Sequence, residues 1–274
     1  MPSQGSNRGS IPRGGINFML LTSQDNSKIK FLKKLNQKKY RDESGQFLVE
    51  NFLIIRDAAK SGIFFESLFV TKKFIEKNQS EFNWLLKKVG TKNYFTINEK
   101  TNNYFSSLET PAGVAAVYSR IPSRLDFNLP VVYLNRISDP GNLGTILRSA
   151  LAFGFTNIVV DEFCVDLYNP KAISAAKDAI FKLNLSLDQN LKIISQIKSQ
   201  MPIVTTSLSG AGDLKSLEKY PRFCLVFGNE AAGVDAKIAA LSSMSVKIKM
   251  SNKIESLNVA VAAGIIFFSL FGKD

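Results

Sequence analysis

The chain has 274 residues, 45% hydrophobic and 21% charged, which suits one large or two ordinary folded domains. It contains no histidine, which excludes Ser-His triads, His-based proton transfer and most zinc sites. Its net charge of +12 is uneven: residues 1–124 hold 20 Lys+Arg against 10 Asp+Glu, and residues 125–274 hold 15 against 13. The basic first half points to a polyanion such as RNA as partner.

In chain order, residues 1–22 open with Ser, Gly, Asn and Arg and are expected to be a disordered N-terminus. Ser27 is placed to cap a first amphipathic helix. Ile29, Phe31, Leu32 and Leu35 form its apolar side, and Lys28, Lys30, Lys33, Lys34, Lys38 and Lys39 supply charge along it and its exit. Lys28, Lys33, Lys34, Lys38 and Lys39 are the candidate RNA phosphate contacts. Strands are expected at 46–50, 67–70, 94–97 and 113–118, with helices at 51–61, 72–88 and from 98 to about 108. That alternation predicts a small α/β domain over 23–118. Residues 119–128, polar and with Pro122, read as a linker where the charge balance changes.

Residues 129–274 alternate again. Expected strands are 130–135, 156–160, 202–206, 223–227 and 245–250, and expected helices are 143–153, 170–181, 189–199, 235–241 and 256–271. Continuous apolar strands joined through helices predict a mostly parallel sheet covered on both faces. The apolar run Val259 to Phe271 is shorter than the ~20 residues needed to span a bilayer, so it reads as a buried helix, and no membrane segment is expected. Cys164 and Cys224 lie far apart without ligand spacing, which suits a reducing cytoplasm and no metal.

Three loops carry polar groups at the ends of buried strands, where open α/β sheets place their sites. The first runs from Asn135 through Asp139-Pro140-Gly141-Asn142 into a helix carrying Arg148. In the second, Cys224 to Phe227 ends in Gly228-Asn229-Glu230; Gly228 permits close backbone approach to a ligand. The third follows Met250, with Ser256 placed to start the last helix and Asn258 in its first turn, either a local cap or a group reaching across to something polar. A dinucleotide oxidoreductase is disfavoured, because Gly141-Asn142-Leu143-Gly144 is not the G-x-G-x-x-G fingerprint.

Taken together, Asn135-x-x-x-Asp139-Pro140-x-Asn142-x-Gly144-x-Ile146-x-Arg148-x-Ala150, Gly228-Asn229-Glu230-x-x-Gly233, and Ile248-x-Met250 with Ser256-Leu257-Asn258-Val259 resemble the three ordered motifs of the SpoU (TrmH) family. These are S-adenosyl-L-methionine-dependent RNA ribose 2′-O-methyltransferases of the SPOUT class. Gly45-x-Phe47-x-Val49-Glu50 and Pro111-x-Gly113-Val114 resemble that family's substrate-binding domain. The departures are Lys249 for a usual proline, Asn51 for a glycine, and Ala231-Ala232 in a turn that commonly holds glycine.

The resemblance implies a small N-terminal α/β substrate-binding domain followed by a parallel-sheet SPOUT domain with a deep trefoil knot, and a homodimer through the C-terminal domain. It implies S-adenosyl-L-methionine held by Thr206, Leu208, Gly228, Ile248 and Leu257. Its catalytic set is Arg148, Asn142, Glu230, Ser256 and Asn258, with Arg148 the catalytic arginine; a guanidinium is a poor base, so its expected part is to bind the adjacent phosphate and stabilise the developing alkoxide, with Asn142, Glu230, Ser256 and Asn258 positioning Arg148 and the ribose. Large-subunit (23S-type) ribosomal RNA is the expected substrate. A tRNA methyltransferase and a non-catalytic RNA-binding ribosome-associated protein are the alternatives.

Overall fold

A computed structural model of the chain describes residues 19–89, 93–122, 125–208, 210, 212–217, 219–251 and 253–271. Most of the expected N-terminal tail, and Ser123 and Arg124 of the expected linker, lie outside the described residues.

The front domain runs β1 (Met19–Leu21), α1 (Ser27–Lys34), α2 (Lys38–Ser44), β2 (Gln46–Val49), α3 (Phe52–Lys60), β3 (Ser67–Thr71), α4 (Lys72–Lys77), α5 (Gln79–Val89), β4 (Tyr94–Ile97), α6 (Glu99–Phe105) and β5 (Val114–Ser119). Its sheet has the order β1-β4-β3-β5-β2, with β5 antiparallel to both neighbours. The expected first cap moves by one residue: the Asn26 side chain, not Ser27, accepts from the Lys28 N–H. The lysine-rich segment is two helices. The first helix ends at Lys34, and Gly45 at φ +66 ends the second in the left-handed region. The strand β1 was not foreseen; three residues give little pattern to read.

The second domain runs β6 (Val131–Leu134), α7 (Pro140–Ala152), β7 (Asn157–Asp161), α8 (Pro170–Ala176), α9 (Ala179–Lys182), β8 (Asn184–Asp188), α10 (Lys192–Gln200), β9 (Ile203–Thr206), β10 (Cys224–Phe227), α11 (Ala236–Ala239), β11 (Met244–Val246) and α12 (Val259–Leu270). Every pairing in its sheet, β11-β9-β10-β6-β7-β8, is parallel. Three expectations are corrected. β8 was missed because Asn184, Ser186 and Asp188 interrupt its apolar pattern. The helix expected at 170–181 breaks where Lys177 adopts φ +57. The strand expected at 245–250 stops at Val246, so Lys247 to Met250 are free to form a loop.

α7 packs on α8 at very short range. A methyl at Gly144 would lie 2.4 Å from the Ala172 carbonyl and 2.6 Å from the Ala175 Cβ, so only glycine fits. α12 buries Val259, Ala260, Ala263, Ile266 and Phe267 but exposes Val261, Ile265 and Phe268. The helix read from sequence as buried is thus covered on one face within this chain, and its other apolar face is exposed.

The domains are joined by a mixed aromatic and ionic seam. Phe47 and Tyr118 of the front domain meet Tyr168 and Phe181 of the second, with ring centroids 4.5 Å (Phe47–Tyr168) and 4.7 Å (Tyr118–Phe181) apart. Beside them the buried Arg41 guanidinium donates from Nε and Nη2 to Asp166 Oδ2, at 2.7 and 2.6 Å. Among the described residues no helix is long and apolar enough to cross a membrane.

Candidate active site

The parallel sheet places the C-terminal ends of its strands along one edge, and the three polar loops leave from that edge. After β6 the chain turns through Asn135 and Arg136, and Asp139 caps α7 by accepting from the Asn142 N–H at 2.7 Å. Pro140 at the first helical position costs no hydrogen bond there. After β10 the turn closes on itself: Asn229 and Gly233 exchange backbone hydrogen bonds of 3.0 and 2.9 Å, with Gly233 at φ +70. A methyl at Gly228 would sit 2.2 Å from the Gly233 backbone. The close approach expected at Gly228 is thus to its own turn.

The third loop brings Asn258 to the start of α12. Asn258, rather than Ser256, is the cap: its Oδ1 accepts from the N–H groups of Ala260 and Val261 at 2.9 and 3.3 Å. With the oxygen occupied, the amide nitrogen must face outward, and it donates to Asn142 Oδ1 at 2.9 Å. Asn142 Nδ2 then donates to Glu230 Oε1 at 2.6 Å. Cap and cross-link, posed as alternatives for Asn258, are both realised. The three loops are tied by one directional relay from the α12 N-terminus to the Glu230 carboxylate.

Beside this relay is a cavity of about 740 Å³, within the size range of small-molecule sites. Thr206, Leu208, Gly228, Ile248 and Leu257, the five expected cofactor residues, all line it, as do Glu230 and Ser256. The Thr206 hydroxyl donates to the Val226 carbonyl at 3.0 Å, which fixes two strand ends against each other. Among the described lining residues Glu230 is the one acid and Lys247 the one base; Asn229 adds an amide and Phe227 an aromatic ring, and the rest are hydroxyl-bearing, aliphatic, methionine or glycine. That donor set fits an amphipathic ligand carrying both an aromatic base and a charged amino-acid end. The segment Ser242 to Ser245 forms another wall and was not singled out from sequence, where small serines carry no ligand signal.

Arg148 is placed differently. It lies six residues after Asn142 on α7, about 9 Å along the axis and turned ~240° from it. It is exposed, does not line the cavity, and makes no hydrogen bond or ion pair among the described residues. The relay and the cavity residues are brought together; Arg148 is not joined to them within one chain. The five candidate lysines are all exposed, and four sit over aromatic rings: Lys28 over Phe95, Lys33 over Tyr104, and Lys34 and Lys39 over Tyr40, at 4.9 to 5.8 Å. No group of three or more side chains able to hold a metal ion occurs among the described residues.

Both domains resemble known proteins. Residues 130–268 match the SpoU rRNA Methylase family, and residues 26–116 match an MRM3-like substrate binding domain. The chain is 29% identical over 254 residues to the 23S rRNA (guanosine(2553)-2′-O)-methyltransferase of Bacillus subtilis, covering 92% of this chain and 99% of that protein. An AdoMet-bound rRNA methyltransferase from Sinorhizobium meliloti superposes with a TM-score of 0.79 at 25% identity, over 92% of this chain and 96% of the other. A structure described as an RNA 2′-O ribose methyltransferase gives 0.73 at 26% identity, over 91% and 97%. With half the chain matched by the family's own domain and the same two-domain fold throughout, the chain belongs to the SpoU rRNA methylase family.

Proposed function

We propose that this protein transfers the methyl group of S-adenosyl-L-methionine to a ribose 2′-hydroxyl in RNA, with large-subunit ribosomal RNA as substrate. The observation that carries this reading is the relay Asn258–Asn142–Glu230 at the mouth of the 740 Å³ cavity. It ties together the three family motifs and borders the residues expected to hold the cofactor. The Bacillus relative's name supports 23S-type RNA over tRNA.

When bound, the cofactor supplies an electrophilic methyl on a good leaving group, so the protein's work is to bind, orient and desolvate. Thr206, Leu208, Gly228, Ile248 and Leu257 hold it. Asn142 and Asn258 fix the Glu230 carboxylate, and Ser256 on the facing loop positions the ribose. Arg148 binds the adjacent phosphate and stabilises the alkoxide that develops as the hydroxyl loses its proton to water or phosphate. Lys28, Lys33, Lys34, Lys38 and Lys39 hold the RNA backbone at a distance from the reaction.

The chain works as a homodimer through the exposed face of α12. Val261, Ile265 and Phe268 form an apolar stripe there, with Phe153 and Phe271 beside it, and a stripe of this kind is covered economically by its own copy about a two-fold axis. The C-terminal segment threads the deep trefoil knot of the class, a reading supported by the close passage of Gly210 against the Val246 backbone and of Gly212 against the Ser245 carbonyl. The cytoplasm is its place of work, in keeping with two buried free thiols.

Purified protein, tritium-labelled S-adenosyl-L-methionine and in vitro-transcribed large-subunit RNA test the reaction. Label should enter a dinucleotide that survives alkaline hydrolysis, because a methylated 2′-oxygen cannot attack its phosphate. Label found on a base, or no transfer at all, would sink the proposal.

A further inference from the structure

Outside the residues assigned above, one exposed pair is held with unusual care. Arg136, two residues after the end of β6, has φ +57, a left-handed conformation that a long side chain rarely takes. Its backbone is pinned on both sides. Its N–H faces both oxygens of the Asp161 carboxylate at 3.1 Å, and its carbonyl accepts from Asn229 Nδ2 at 3.0 Å. Asp161 is buried, and the same carboxylate accepts from the Phe163 N–H at 3.1 Å and from Asn135 Nδ2 at 2.6 Å.

One buried acid therefore orients two neighbours, and what they present is a stack. The Arg136 guanidinium lies 5.0 Å from the centre of the Phe163 ring. Phe163 is 63% exposed, so its position is not explained by the core. Arg136 is also half exposed and spends one nitrogen on Asp235 at 3.1 Å, leaving other N–H groups toward solvent. An arginine plane against an exposed aromatic ring is a surface on which unpaired bases stack.

Its place in the fold says which base. Along the sheet edge, the cavity lies over β9, β10 and β11, the Glu230–Asn142 contact bridges the β10 and β6 loops, and the stack sits over β6 and β7. Asn229, which holds Arg136, is the residue before Glu230. On the other side, the loop bearing Phe163 also carries Asp166, which grips Arg41 of the lysine-bearing helix α2. The stack thus stands between the basic face of the front domain and the methyl-transfer site, on the path an RNA strand must follow to touch both.

We propose that Arg136 and Phe163 form a stacking platform for one unpaired nucleobase of the RNA substrate, adjacent to the nucleotide that is methylated. The base lies on the open face of Phe163, and the free guanidinium N–H groups of Arg136 bind a flanking phosphate. This rests on the reading of the protein as an RNA methyltransferase, and it makes Phe163 a substrate-binding residue that no motif marks.

The test compares Phe163→Ala, Phe163→Trp and the unmodified protein in three measurements: filter binding of the in vitro-transcribed large-subunit RNA, methyl transfer to it, and calorimetric affinity for S-adenosyl-L-methionine. Phe163→Ala should weaken RNA binding and raise the RNA KM about tenfold, within the range for loss of one base stack. Phe163→Trp should return both to within about twofold, and cofactor affinity should stay unchanged in both variants. Unaltered RNA affinity in Phe163→Ala, failure of tryptophan to restore it, or a parallel fall in cofactor affinity would each overturn the platform. If the unmodified protein binds the RNA without methylating it and Phe163→Ala still weakens binding, the platform stands and the catalytic reading falls.

Discussion

Removing one partner of the Arg41–Asp166 pair is the severest test of how the domains are held. The two side chains are 3% and 10% exposed, so water cannot replace a lost partner. Arg41 Nε and Nη2 both donate to Asp166 Oδ2, and Nη1 donates to the Leu35 carbonyl at 2.7 Å. For charge centres about 4 Å apart and an effective dielectric near 20 the attraction is roughly 4 kcal/mol, and stranding one buried ion costs about 3–5 kcal/mol. Asp166→Leu leaves the Arg41 guanidinium with only the Leu35 carbonyl as acceptor; Arg41→Met leaves Asp166 with only the Tyr168 N–H at 3.1 Å. Each single change should therefore cost about 3–5 kcal/mol. Arg41→Met with Asp166→Leu strands no charge and should cost no more than either alone, giving a coupling of ~3 kcal/mol. Urea unfolding followed by circular dichroism and by the single tryptophan, Trp84 on α5, gives all four values. Single changes below about 1 kcal/mol, or strictly additive ones, would show a pair no stronger than a surface ion pair and refute the buried-seam argument.

Gly144→Ala drives a methyl into the Ala172 carbonyl and should cost about 1–3 kcal/mol through separation of α7 from α8; an unchanged Tm would contradict the close packing. Arg148→Ala should abolish methyl transfer while calorimetry finds cofactor affinity within about tenfold, ~1.4 kcal/mol; a larger loss would make Arg148 a cofactor ligand. Burial pushes the Cys164 and Cys224 thiols well above their usual range, so both stay neutral near pH 8 and should resist a disulfide reagent until urea unfolds the chain; fast labelling of native protein would count against that burial. Burial also pushes Tyr94 up to about 12 against a usual 10. Because the folded value is the higher, its stabilising contribution is complete below pH 10 and is lost as pH rises toward 12; a urea midpoint that climbs between pH 9 and 11 would contradict the sign.

Legibility differed by the range of the interaction. The strands β6 and β10 are continuous apolar runs and β9 is β-branched throughout, and local pattern located all three to within a residue or two. Gly228, Ile248 and Leu257 were legible because the family motifs carry their loops as units, whereas Thr206 and Leu208 stand outside every motif and were placed only by their position at and after the end of β9. Helix starts were less so: Ser27 and Ser256 are good caps by residue type, but Asn26 and Asn258 hold the geometry that lets an oxygen reach the following N–H groups. The partner of Arg41 lies 125 residues away, and nothing in either neighbourhood marks it. Phe163 was equally silent, since an exposed aromatic gains meaning only once its backbone tether and its neighbour Arg136 are known.

The missing histidine has a structural counterpart at the relay. An amide neither gains nor loses charge across the physiological range, so a site aligned by Asn258 and Asn142 keeps its hydrogen-bond direction where an imidazole would switch. The direction is set at the far end, by the two N–H groups at the start of α12 that claim Asn258 Oδ1. Each amide then has one choice, and the last N–H meets Glu230 at 2.6 Å. The relay depends on the third loop delivering Asn258 beside the first loop's helix and opposite the second loop's turn. The chain's final helix is thus more than a cover for the core: its first turn sets the orientation of a carboxylate whose own strand lies some thirty residues earlier in the chain.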